Sequence, residues 1–103
     1  MAWLLLIFAG LLEVVWAFAM KASDGFTRVV PTAVTFAAMI ASVGLLASSM
    51  RTLPLGTAYT VWTGIGAIGA FTVGVIALGE PLGLLRLTAA MLIVTGLVMM
   101  KLG

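Results

Sequence analysis

The chain has 103 residues, 64% of them hydrophobic, with a formal net charge of +2, and its mean hydropathy is +1.34. A water-soluble fold this small leaves much of its surface exposed and cannot bury so much apolar area. That excludes a soluble globular domain and makes lipid the expected solvent. The five basic residues stand singly, and cysteine and histidine are absent. The expectation is therefore no nucleic-acid partner, no disulfide or thiol chemistry, no metal site and no cofactor.

The first apolar segment runs from Ala2 to Met20. It lacks a basic leader and carries Glu13, so it is expected to be a retained span and not a cleaved signal peptide. Lys21 to Arg28 is a polar connection. The second segment runs from Val29 to Met50, with Pro31 in its first turn, where proline is tolerated. Arg51 to Gly56 connects it to the third segment, Thr57 to Leu78. Gly79-Glu80-Pro81-Leu82-Gly83 is the last turn, and the fourth segment runs from Leu84 to Met100. Each segment has roughly the 17–25 residues that a spanning helix needs. Barrel strands would be about half as long and would alternate polar with apolar. The expected architecture is an all-α membrane protein: one domain, residues 1–103, with spans 2–20, 29–50, 57–78 and 84–100.

Cytoplasmic loops normally carry an excess of lysine and arginine. With four spans, Arg51 and Lys101 fall on one side of the membrane and Lys21, Arg28 and Arg86 on the other. So small a bias predicts insertion in both orientations, which opens the way to an antiparallel homodimer. Size argues for the same assembly, because four short helices leave little room for a hydrated passage. Beyond Arg86 at its membrane edge, the fourth segment carries only Thr88 and Thr95 as polar side chains, and Gly96 permits close backbone approach. It suits either a dimer face or an ordinary lipid-facing helix.

Glu13 is the only acid inside the first span. A carboxylate near the bilayer centre costs at least ~2.5 kcal/mol, so such groups are functional candidates by default. Residues three and four apart share a helix face, which places Gly10, Glu13, Trp16 and Ala17 on one stripe. Small Gly10 and Ala17 leave space beside the acid. A carboxylate supplies charge and hydrogen-bond acceptors, and an indole face attracts a cation. Glu13 could alternatively bond between helices, and Trp16 could pack. Trp3 suits the interfacial belt. In the third span, Leu55, Tyr59, Trp62 and Gly66 form another stripe. Tyr59 can donate to a carboxylate or sit in the belt, and Trp62 can wall a cavity. Gly64 and Gly66 suit either a hinge or close packing. Ser42, midway along the second span, could orient the carboxylate or bond its own backbone.

Three stretches carry a family resemblance. They are Gly10-Leu11-Leu12-Glu13-Val14-Val15-Trp16-Ala17, Leu53-Pro54-Leu55-Gly56-Thr57-Ala58-Tyr59 and Val61-Trp62-Thr63-Gly64-Ile65-Gly66-Ala67. Together with the length and the four spans, they resemble the small multidrug resistance transporters. Trp16, Met39 and Glu80-Pro81-Leu82 before Arg86 are similar to the guanidinium-exporter branch. One departure is Thr60, where that branch usually has alanine. The resemblance implies a proton-coupled antiporter working as an antiparallel dimer in the inner membrane, and not an enzyme. It implies Glu13 as the shared proton and substrate site, with Trp16, Ser42, Tyr59 and Trp62 around a guanidinium or alkylguanidinium ion. Two alternatives stand beside it: a quaternary-ammonium exporter on the same scaffold, and a non-transporting membrane assembly subunit.

Overall fold

The computed structural model describes residues 1–103 and is all-helical. Helix α1 covers Ala2–Ala22, α2 Val29–Ser49, α3 Leu55–Ala77 and α4 Leu84–Leu102. Their lengths of 21, 21, 23 and 19 residues correspond to roughly 28–35 Å at 1.5 Å per residue. That matches a hydrocarbon core about 30 Å thick, and all four helices are apolar enough to cross it.

The ends follow local chemistry. Pro31 is the third residue of α2, where a missing N–H costs no helical bond. Pro54 is the N-cap of α3, extended at φ −61° and ψ 151°. Its carbonyl accepts the Ala58 N–H at 3.0 Å, which starts the helix at Leu55, two residues ahead of the expected Thr57. The α1–α2 corner is tight. Asp24, Gly25 and Phe26 all adopt left-handed backbone, at φ 52°, 71° and 66°. Buried Ser23 braces them: its Oγ donates to the Met20 carbonyl at 2.6 Å and accepts the Phe26 N–H at 3.0 Å. The Phe26 ring stacks on Phe36 with centroids 5.6 Å apart.

Helix α1 packs along both α2 and α3, whereas α4 packs its backbone only on α3. The Cα positions fill a slab of 40 × 34 × 16 Å. Only 16 of 103 residues are buried, too few to hold this composition together in water. The small core joins Leu6 and Ala9 of α1, Leu46 of α2, and Ala58, Val61 and Trp62 of α3. Helix α4 has no buried residue. Its Thr88 and Thr95 hydroxyls donate to Leu84 and Met91 carbonyls, each at 2.8 Å, so its outer surface between Arg86 and Lys101 is apolar. Across the slab edge, the Lys101 ammonium lies 5.2 Å from the centroid of the Trp3 ring.

Candidate functional site

Glu13 projects from α1 onto α3 at buried Gly66. A Cβ built at Gly66 would fall on the Glu13 carboxylate, so the acid occupies the space that this glycine leaves free. The neighbouring contacts interlock in the same way. Ile65 fills the surface of Gly10, and Val14 fills that of Gly69. The expected space beside the acid at Gly10 is therefore taken by Ile65, and the room comes from the facing helix. Periodicity on α1 alone carries no information about which α3 side chain arrives there.

Two polar atoms in this region have no partner within the chain. They are Oε1 of Glu13 and Nε1 of Trp16, both shielded from solvent. A buried polar group left unpaired costs about 1–3 kcal/mol, and native proteins keep few of them. The carboxylate oxygen accepts and the indole nitrogen donates, so the pair offers both kinds of hydrogen bond on one face of α1.

Ser42 ties three helices together. Its Oγ donates to the Ala9 carbonyl at 2.6 Å and accepts from Trp62 Nε1 at 3.0 Å. It makes no bond to Glu13, contrary to the expectation that it orients the carboxylate; its one proton is committed to α1 backbone. What it orients is the Trp62 indole. The Ala9 carbonyl is an acceptor that side-chain identity could not signal. Ser42→Ala should leave a buried indole N–H unpaired and lower stability by about 1–3 kcal/mol. Thermal unfolding of the detergent-solubilised protein checks this.

Tyr59 sits 5.6 Å from Trp62 between ring centroids, tilted by 55°, and is half exposed. Its hydroxyl does not reach Glu13 within one chain. Tyr59 faces an open groove of about 550 Å³ between α3 and α4, lined also by Thr60, Thr63, Gly64, Gly96 and Leu97. Gly64 receives Leu97 of α4, whereas nothing lies within 4 Å of a Cβ built at Gly96. Helix α3 is unbroken through Gly64 and Gly66, and here the two glycines serve close packing toward opposite neighbours. The chain thus joins Glu13 with Gly66, and Ser42 with Trp62 and Tyr59, as two adjoining groups.

Four apolar spans, with one carboxylate oxygen shielded where α1 meets α3, define a small polytopic membrane protein. The chain belongs to the small multidrug resistance family: the family's sequence profile, described as Small Multidrug Resistance protein, matches residues 1–101. It is a multi-pass protein of the bacterial inner membrane. A guanidinium exporter of Citrobacter freundii is 54% identical over 102 residues, covering 99% of this chain and 97% of the relative. The guanidinium exporter of Salmonella typhimurium shows the same identity and coverage. That of Escherichia coli strain K12 is 52% identical, with the same coverage.

Proposed function

We propose that the protein exports guanidinium-type cations in exchange for protons, with Glu13 as the shared binding group. The observation that carries this reading is the shielded Glu13 oxygen without a partner, one helical turn from the unpaired Trp16 indole. The relatives named guanidinium exporters support the same cargo. Guanidinium is planar and bonds a carboxylate through two parallel N–H groups. Trp16, Trp62 and Tyr59 frame it as aromatic walls, and Ser42 holds the Trp62 ring in place. Only the deprotonated carboxylate takes the cation, so proton and cargo exclude one another at Glu13. Inward proton flow then drives outward cation flow. Gly64 and Gly66 are assigned as the hinge that lets α3 change shape as access alternates.

The working unit in this reading is an antiparallel homodimer. Near-equal loop charge supports it, as does an α4 without a single buried residue. Gly96 is assigned to dimer packing. Gly96→Leu should leave the helical content unchanged but shift the protein from dimer to monomer, as read by crosslinking in membranes.

The test of function is solid-supported-membrane electrophysiology on proteoliposomes. Guanidinium and alkylguanidinium should give proton-coupled currents, and tetraalkylammonium none. Apparent guanidinium affinity should fall on acidification, by up to about tenfold per pH unit where one proton competes for one site. Currents with tetraalkylammonium alone would move the assignment to the quaternary-ammonium alternative. An affinity indifferent to pH would end the exchange mechanism.

A further inference from the structure

A second charged place lies outside the Glu13 site. Lys21 and Glu80 face a shared cleft of about 190 Å³ between α1 and α3, lined also by Val14, Ala17, Ala70 and Gly74. Lys21 is in the last turn of α1, and Glu80 follows α3 directly, so the cleft opens at one face of the membrane. On α1, Glu13, Ala17 and Lys21 are four apart and share a face. On α3 the same spacing links Gly66, Ala70 and Gly74. The cleft therefore points along small residues from the charged mouth toward the Glu13 carboxylate.

The Glu80 side chain is exposed but folds back against α3. Gly79 adopts left-handed backbone at φ 66°, which turns the chain back over the helix end. The Glu80 N–H then bonds the Gly74 carbonyl at 3.0 Å. Its side chain folds onto buried Gly74, and a Cβ built there would strike the carboxylate. Backbone turn and glycine recess together fix a negative charge at the mouth. A lysine at the end of a helix has an ordinary explanation in the helix dipole; the folded-back carboxylate has none.

We infer that Glu80 is an outer docking carboxylate, which takes the incoming cation at the cleft mouth before it reaches Glu13, with Lys21 as a positive charge in the same cleft that opposes the cation's approach. The inference rests on the cation-transport reading above. An exposed charge contributes little, so the expected effects are a few-fold and act on KM.

Proteoliposome guanidinium currents test it. At low salt, Glu80→Gln should raise KM about threefold with an unchanged saturating rate, and Glu80→Asp should lie closer to the wild type. Gly74→Ala keeps the charge but fills its recess, and should raise KM in the same direction. Lys21→Gln removes the opposing charge and should lower KM. At about 1 M salt, where the screening length is about 3 Å, these differences should vanish. An unchanged KM in Glu80→Gln, beside a wild type that transports guanidinium, overturns the docking role alone. So does a Lys21→Gln variant whose KM rises like that of Glu80→Gln, since loss of shape would then explain both. A wild type without guanidinium current overturns the transport reading and this inference together.

Discussion

Glu13→Gln should abolish proton-coupled guanidinium current while leaving a folded, membrane-inserted protein. Glutamine keeps nearly the volume and shape that fit against Gly66, so packing survives. What disappears is the charge, and with it both the paired acceptor for a guanidinium fork and the proton that would be exchanged. Removing one partner of a buried charge pair costs about 2–5 kcal/mol. The expected loss in apparent affinity is therefore roughly thirtyfold or more. Binding measured by calorimetry and current measured on supported membranes should fall together. Glu13→Asp retains the charge on a shorter arm and should keep a measurable fraction of both. Coupled current that survives Glu13→Gln would remove the carboxylate from the mechanism.

Gly66→Ala should be nearly as damaging to transport, by geometry alone. Alanine is the better helix former, by up to ~1 kcal/mol. Against that gain, its methyl would occupy the place of the Glu13 carboxylate, and overpacking costs about 1–3 kcal/mol. The second effect wins, and it displaces the group proposed to bind cargo. Transport should fall at least about tenfold, the penalty expected when a binding group is shifted by a fraction of an ångström to an ångström. The control is Gly44→Ala in α2, where nothing lies within 4 Å of the new atom. That substitution should be neutral or mildly stabilising in thermal unfolding. Similar behaviour of the two variants would show that the Glu13–Gly66 contact is unimportant.

The contrast between those glycines marks what the sequence can and cannot convey. Helices are legible because lipid demands long uninterrupted apolar runs, and the charges near Lys21, Arg51 and Glu80 punctuate them. The shielded acid is legible because its burial needs a reason. Partnerships across helices are not. Gly10 and Gly66 are both glycines facing a neighbour, yet one receives Ile65 and the other receives Glu13. Nothing in their own helices distinguishes them. Ser42 is conspicuous as a polar residue in an apolar span, but its acceptor is the backbone of Ala9, which every residue type presents equally. The start of α3 at Leu55 is hidden for a similar reason, since it depends on the Pro54 carbonyl, a backbone group, accepting the Ala58 N–H.

The slab shape has one more consequence. Its Cα positions extend 16 Å in the thin direction, room for about two layers of helices at 8–10 Å spacing. A molecule of two layers has no layer enclosed on both sides, and the acid of α1 lies where α1 meets α3. The chain itself shields one oxygen of that acid; in the proposed dimer, whatever is laid against the open sides would complete its surroundings, so gatekeeping would be shared between a protomer and its neighbours.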